Sequence, residues 1–411
     1  MDLPDVTFSP AQRRWREIAR EISREFLLPQ AARHDKKQTY NEDAFQAAAK
    51  AGLLGIWIPR EYGGTADGIV GLSLVVEEFS KADPAFGVAF AVNALGSIPI
   101  IVGGTEEQKR KYLPRVAAGK CRCAFALSEK FAGSDAGGSS VRAVKVDSGW
   151  EINGEKKWTT NGSLADLITC FAVTDPESRS RRISAFLVEK TDPGFSVPKV
   201  EDKMGIRMVP VVETAYQGLF LPEDRLLGGK PGLGFKHSMM TLDLARPGVA
   251  AQAVGLAQGA LELAVTYATR RKQFGQTIAS FEMIQAMLAD MAMRTEGARW
   301  AVYMCASLAD KGARNVTKYA AMCKCLATDV AVQVATDAVQ VFGGYGFMED
   351  YPIAKFYRDA KILQIYEGTN QIQRLVIARK LVKDSSEFSY LNEFIPTEVQ
   401  ETYGVGEIVN T

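Results

Sequence analysis

Four short stretches combine side chains that could do chemistry with glycines that would let a ligand approach the backbone closely. In "LQIYEGTNQIQRL", Leu363 to Leu375, a lone carboxylate, Glu367, stands among apolar neighbours directly before Gly368. A carboxylate in apolar surroundings holds its proton more tightly and becomes suited to act as a general base near neutral pH. A Glu drawn to a helix N-terminus by the helix dipole explains the same spacing without any chemistry. Asn370, with Gln373 three residues on, reads as a capping box that opens the following helix. "SEKFAGSDAGGSS", Ser128 to Ser140, sets hydroxyls and an acid around glycines, which suits close ligand approach or simply a flexible turn. "KKWTTNG", Lys156 to Gly162, would put Trp158 and Thr160 on the same side of a strand, a flat face beside a hydroxyl donor. That pair suits a planar heterocycle, and an edge strand with a half-exposed Trp explains it equally well. "TRRKQFGQ", Thr269 to Gln276, follows a long helical pattern with three cations and then Phe-Gly; cations there also serve simply as partners of the helix dipole.

The elements that must position these residues are legible as changes of period. Residues 9 to about 120 read as helices, opening at "SPAQRRWREIAREISREFLLPQ" with Ser9 as cap, Pro10 in the first turn, and Trp15, Ile18, Ile22 and Leu27 as an apolar stripe. From Cys121 short runs rich in β-branched and aromatic residues take over, and Asn153-Gly154 carries a hairpin signal. From Phe235 long helical segments return and predict a bundle of four or more helices ending near Leu381. The expectation is an α+β multidomain chain: an N-terminal helical domain over 1–120, a middle β-barrel-like domain over 121–234, a C-terminal helical bundle over 235–383, and a tail over 384–411.

Composition narrows the function classes. The 411 residues are 47% hydrophobic, enough for a sizeable core, and 49 Lys plus Arg against 48 Asp plus Glu leave a net charge of +1. No global field therefore favours nucleic acid or an anionic membrane. Six Cys form no CxxC and only two His are present, so the C-x-C pairs Cys121/Cys123 and Cys323/Cys325 read as packed thiols rather than metal ligands. The N-terminus has no apolar signal core, and no apolar run approaching a membrane span of about 18 residues is expected. A cytoplasmic location follows from these features as an expectation.

Taken together and in this order, "ALSEKFAGSDAG", "WTTNG", "DKMGIRMVPVVETAYQGLFLPEDRLLG", "YATRRKQFG", "MLADMAM", "QVFGGYGF" and "IYEGTNQIQ" resemble the acyl-CoA dehydrogenase family of flavoproteins over roughly residues 5 to 381. The resemblance implies FAD as cofactor. It places Phe125, Leu127, Ser128 and Ser134 at the flavin ring and its pyrimidine edge, with Ser134 also near the CoA moiety. Trp158 resembles the residue beside the isoalloxazine, and Thr160 the hydroxyl donor to flavin N5. Arg271 and Phe274 resemble residues that reach the FAD of a neighbouring subunit, and Gln340, Gly343 and Gly344 the turn that receives its pyrophosphate. Thr369 and Gln371 resemble further FAD contacts. A site shared between subunits implies a homo-oligomer, in this family a dimer of dimers.

By the same resemblance Glu367 is the base that removes the α-proton of an acyl-CoA thioester while hydride leaves the β-carbon for flavin N5. The thioester oxygen would be held by the backbone N–H of the base and by a ribityl hydroxyl. Some relatives carry the base on the helix that begins here at "LDLARPGVAA"; this chain has Ala245 there, with Arg246 beside it as an orienting residue. Tyr366 and Gly368 flank the base on the substrate side. "DPAFGVAFAVNALGSIPI", Asp83 to Ile100, resembles the acyl-pocket segment and offers Phe86, Phe90 and Val92 with Asn93 as its main polar group. Glutaryl-type relatives have an Arg where Phe86 falls, so an uncharged acyl chain, short to medium or cyclic, is expected. Glu282, where many relatives have Gln, and the tail after Lys383 depart from the pattern. Electrons are expected to pass to an electron-transfer flavoprotein. The competing readings are an oxygen-using oxidase or monooxygenase on the same fold, a dehydrogenase of alicyclic or aromatic acyl-CoA, and a non-catalytic helical assembly factor.

Overall fold

The computed structural model describes residues 8–394. Six helices come first: α1 (Pro10–Ile22), α2 (Ala31–Lys37), α3 (Glu42–Lys50), α4 (Gly68–Ala82), α5 (Pro84–Gly103) and α6 (Glu106–Ala117). Ser9 and Gln12 form a reciprocal capping box with Pro10 in the first turn of α1. Ile22 and Leu27 are buried, and the Trp15 indole N–H donates to Asp67 at 2.7 Å.

The expectation that no apolar run approaches a membrane span does not hold. Pro84–Gly103 and Gly234–Ala268 are long and apolar enough to cross a membrane, as is Val316–Phe347. Of the most apolar window in each of the first two, 78% and 83% of residues are buried inside the protein. A helix that is apolar all round must be covered by something, and here the cover is other helices.

The middle of the chain is one seven-stranded sheet: β1 (Cys123–Ala126), β2 (Arg142–Val146), β3 (Gly149–Thr160), β4 (Leu167–Val173), β5 (Ile183–Glu189), β6 (Phe195–Val200) and β7 (Val211–Pro222). The order is β1-β4-β2-β3-β7-β6, with β5 also paired to β4. Asn153-Gly154 does not turn the chain. It lies inside β3, where the register against β7 slips between Ile152 and Gly154. The hairpin turn is instead at Asp147–Ser148, between the paired Val146 and Gly149. The permissive φ of Asn-Gly is used for an irregularity in the ladder rather than for a loop.

The C-terminal helices are α7 (Gly234–Ala268), α8 (Glu282–Asp310), α9 (Val316–Phe342), α10 (Ile353–Leu363) and α11 (Asn370–Lys383), and a small hairpin of β8 (Lys272–Gln273) and β9 (Gln276–Thr277) lies between α7 and α8. α7 packs on α9, α8, α4 and α5 and so joins the two helical layers. Buried charge clusters tie the layers together. Lys355 on α10 donates to Asp83 and Asp359, each at 2.6 Å, and Asp359 also accepts from the Ile206 N–H of the β domain. Glu77 on α4 accepts from Arg299 at 2.9 Å and from the Tyr303 hydroxyl. After α11 the chain continues as a 3-10 segment, Asp384–Phe394, and the rest of the expected tail lies outside the described residues.

Candidate active site

The break between α10 and α11 is a tight turn. Glu367 adopts φ 52° and Gly368 φ 92°, both left-handed, so two successive residues turn the chain where a helix would otherwise continue. The helix that follows is capped one residue earlier than the capping-box reading places it. Thr369 is the N-cap and its hydroxyl accepts from the Ile372 N–H. Asn370 and Gln373 face inward instead. Gln373 donates through Nε2 to the carbonyls of Glu367, at 3.2 Å, and Gly368, at 2.9 Å. Arg246 on α7 donates from Nε to the Glu367 carbonyl at 3.3 Å, and its Nη1 pairs with Asp243 at 3.0 Å.

The Glu367 Oε2 is buried without a hydrogen-bond partner, as is Asp83 Oδ2, but the other Asp83 oxygen is paired with Lys355. Burial pushes the Glu367 pKa up to about 7, while the charges of Arg246 and Lys324 pull the other way. Among the described residues none accepts from the Glu367 backbone N–H. A carboxylate poised near neutrality beside a free N–H donor is suited to taking a proton from a carbon acid while the adjacent oxygen is held.

The strand-borne residues come from the end of β1 and the end of β3, which are joined by the Lys157 N–H donating to the Ser128 carbonyl at 2.8 Å. Phe125 at β1, then Leu127 and Ser128 just after it, are half-buried, and Ser134 in the loop beyond is exposed. That loop is stapled by a buried ion pair: Lys156 donates to Glu129 at 2.7 Å and to the Leu127 carbonyl at 2.9 Å. Glu129 also accepts from Ser140 and Val141, and these partners outweigh burial and hold its pKa down at about 2. Trp158 and Thr160 do not follow simple strand alternation. Trp158 has φ 57° at a register shift between Lys156 and Thr159, which turns its indole outward to 55% exposure, while Thr160 stays half-buried.

The remaining ligand-facing expectations fall on exposed turns far along the chain. Phe274, at φ 51°, tips the β8–β9 hairpin with 94% of its surface exposed. The Arg271 guanidinium lies 5.2 Å from the centre of the Tyr345 ring. Gln340 is exposed near the end of α9, and a Cβ built on Gly343 or Gly344 would meet nothing within 4 Å, so this turn is an open backbone surface. Thr369 is spent on its cap, and Gln371 is exposed. Open glycine backbone, a bared indole and a bared phenyl ring fit an elongated cofactor with a flat ring system and phosphates.

The acyl-pocket expectation needs correction. Phe86 and Phe90 are fully buried and pack edge-on against Phe79, with centroids 5.0 and 5.1 Å apart. Asn93 spends its amide on the Ala89 and Phe90 carbonyls and accepts from the Cys123 N–H at 3.1 Å, tying α5 to β1. These three side chains form core and strut; Ala91 and Leu95 are the half-buried positions of this stretch. Tyr366 is half-buried and its hydroxyl donates to Gln252 on α7.

The same three-layer arrangement is matched by family models along most of the chain: acyl-CoA dehydrogenase N-terminal domain over residues 9–120, middle domain over 124–218 and C-terminal domain over 232–382. This chain belongs to the acyl-CoA dehydrogenase family. It is a flavoprotein oxidoreductase that acts on the CH–CH bond of an acyl-CoA, with FAD as cofactor. A relative named "Probable acyl-CoA dehydrogenase" from Mycobacterium tuberculosis is 45% identical over 368 residues, 90% of this chain and 94% of that protein. The butyryl-CoA dehydrogenase structure from Megasphaera elsdenii superposes with a TM-score of 0.89 at 39% identity, covering 93% of this chain and all of that one. A chain from the structure of an electron transferring flavoprotein of Acidaminococcus fermentans gives a TM-score of 0.90 at 44% identity, covering 93% of this chain and 100% of that chain.

Sequence reasoning missed Lys324, read Gln373 as half of a capping box rather than as a clamp on the Glu367 and Gly368 carbonyls, and did not expect the left-handed form of Trp158. Lys324 had a usable signal, since it falls on the stripe Ala320, Ala327, Thr328 and Ala331 that the helical period places inside.

Proposed function

We propose that this protein dehydrogenates a short, uncharged acyl-CoA to the 2-enoyl-CoA, with Glu367 as the base. The observation that carries this reading is the buried, unpartnered Oε2 of a carboxyl whose pKa is raised to about 7. Glu367 takes the α-proton, and its own backbone N–H donates to the thioester oxygen as charge develops there. Bound FAD would supply the acceptor for the hydride of the β-carbon. Arg246 keeps the turn in place through the Glu367 carbonyl, and Tyr366 and Gly368 border the acyl end. Leu127, Ser128, Trp158 and Thr160 hold the flavin end of the cofactor, and Thr369 and Gln371 border it beyond the base. Phe125 supports the β1 edge through its ring contact with Phe171. Ser134, exposed in the loop after β1, would border both the flavin and the CoA moiety.

Arg271, Phe274, Gln340, Gly343 and Gly344 serve the cofactor of a neighbouring subunit, in a homotetramer built as a dimer of dimers. The exposure of Phe274, Gln340, Gly343 and Gly344 on one chain favours this reading, with Arg271 half-buried beside the Tyr345 ring. Electrons go on to an electron-transfer flavoprotein, in a soluble enzyme of the cytoplasm. The division into 1–120, 121–234, 235–383 and a tail follows the changes from helix to strand and back. The likeness to butyryl-CoA dehydrogenase favours a short neutral acyl chain.

The deciding experiment is Glu367→Gln in the FAD-loaded enzyme, mixed anaerobically with butyryl-CoA and followed at the oxidised-flavin band. General-base contributions are on the order of 10² to 10⁴-fold, and the loss should reach the upper end because Ala245 offers no rival carboxylate. Bleaching at close to the wild-type rate would move the base elsewhere.

A further inference from the structure

Lys324 lies near the middle of α9, fully buried. An ammonium without water is costly, and such a group is usually paired directly with a carboxylate. This one is not: Nζ donates to the Gly368 carbonyl and to Asn370 Oδ1, each at 2.9 Å, and both acceptors are neutral. Asn370 is itself fixed, donating to Thr328 Oγ1 at 2.9 Å and to Asp329 at 2.7 Å. The turn is therefore gripped from three helices: by Arg246 of α7 and Gln373 of α11 at Glu367 O, and by Lys324 of α9 with Gln373 at Gly368 O.

We propose that Lys324 is a positioning residue of the reaction, which holds the Glu367–Gly368 turn in its left-handed form and faces the Glu367 carboxylate with a second positive charge beside that of Arg246. The inference rests on Glu367 being the base.

The charged and titratable groups around the turn are few. Glu367 is faced by Arg246 from α7 and by Lys324 from α9, with the Tyr366 hydroxyl beside it in sequence. Arg246 is backed by Asp243, whose other oxygen accepts from Thr317, and lies near Cys323. Lys324 is further faced by Cys325 and Asp329, and Asp329 is paired to Arg374 of α11 at 2.7 Å. Burial pulls the Lys324 ammonium down to about 8, and Glu367 is the foremost group opposing that shift. The two groups therefore sense each other, and each favours the charged form of the other.

The charge gives Lys324 a signature that a purely structural lysine would lack. Proton abstraction needs the carboxylate form, so flavin reduction rises with pH through the Glu367 midpoint. Removing a nearby cation raises a carboxyl pKa, so that rising limb must move to higher pH. The experiment compares FAD-loaded wild type, Lys324→Met, Lys324→Gln and Lys324→Arg by anaerobic flavin reduction with butyryl-CoA across pH. Lys324→Met should shift the midpoint up by about one unit, and its limiting rate should fall by roughly tenfold to a hundredfold as the turn loosens. Lys324→Gln keeps hydrogen-bond donors and nearly the same length, so it serves where the Met variant does not load FAD; its midpoint should move the same way. Lys324→Arg should return the midpoint to the wild-type position. A neutral variant that binds FAD and keeps the wild-type midpoint overturns the proposal, as does an Arg variant shifted as far as the neutral ones. Glu367→Gln run alongside separates the two levels. If it still bleaches the flavin, the base assignment has failed. If it is dead and the neutral Lys324 variants are unshifted, only the role of Lys324 has failed.

Discussion

Gly368→Ala should damage the reaction out of proportion to its size, and the structure shows where the damage comes from. At φ 92° a side chain is strained whatever the space around it, a cost on the order of 1–3 kcal/mol. The added Cβ would also stand 2.5 Å from Gln373 Nε2. Gln373 is flexible enough to swing away, so the clash itself is cheap. Moving it surrenders two hydrogen bonds, to the carbonyls of Glu367 and Gly368, each contributing about 0.5–1.5 kcal/mol. Together these terms oppose the native turn by roughly 2–6 kcal/mol, enough for the turn to relax toward ordinary helical φ and carry the Glu367 carboxylate with it. A displacement of about 1 Å costs on the order of a hundredfold in rate.

Gly52→Ala is the matched control, since Gly52 also has positive φ, 80°, but its built Cβ meets nothing within 4 Å. It should lose stability through strain alone and keep its rate. The assay is anaerobic flavin bleaching by butyryl-CoA with FAD content and thermal unfolding measured on the same samples. Gly368→Ala reducing its flavin within about threefold of wild type would refute the view that this turn geometry sets the position of the base.

Three further outcomes follow. Flavin reduction in the wild type should rise with pH through about 7; because that folded pKa is raised, Glu367 contributes stability below its unfolded value of 4.5 and loses it as pH rises through about 7. Glu367→Gln should flatten that part of the stability profile, read from denaturant unfolding at several pH values. Lys355→Met should cost about 3–5 kcal/mol by leaving Asp83 and Asp359 buried without their cation, seen as a lowered unfolding midpoint. Arg271→Ala should lower FAD occupancy and loosen the oligomer together, checked by flavin absorbance and light scattering on one sample; full occupancy in a monomer would contradict a shared site.

Much of this was legible in the sequence because it is local. Ser9 with Pro10, the switch of period at Cys121, and a glutamate ahead of a glycine depend on neighbours within a few residues. What was misread depends on contacts that sequence spacing does not carry. Asn153-Gly154 has the chemistry of a turn, but pairing with β7 decides what it does. Thr369 outcompetes Asn370 as cap because Asn370 is claimed by Thr328 and Lys324, more than forty positions earlier. Asn93 looks like a pocket's polar group until β1 arrives to use it. A lysine in mid-helix reads as a solvated cation by residue type; the period of α9 places Lys324 inward, and the packing of three helices shows what encloses it.

The buried charge clusters also bear on how the chain is made. Asp83 lies 272 residues before Lys355, and Glu77 lies 222 before Arg299. At about 5–20 residues per second, the ribosome exposes each N-terminal acid roughly ten seconds to a minute before its partner exists. During that interval the first helices hold carboxylates whose cations on α8 and α10 do not yet exist, so the interface meant for those helices must stay open and wet. The N-terminal third therefore reaches its final packing only when the last helices emerge, and a nascent chain stalled before α10 would present that unfinished face to chaperones.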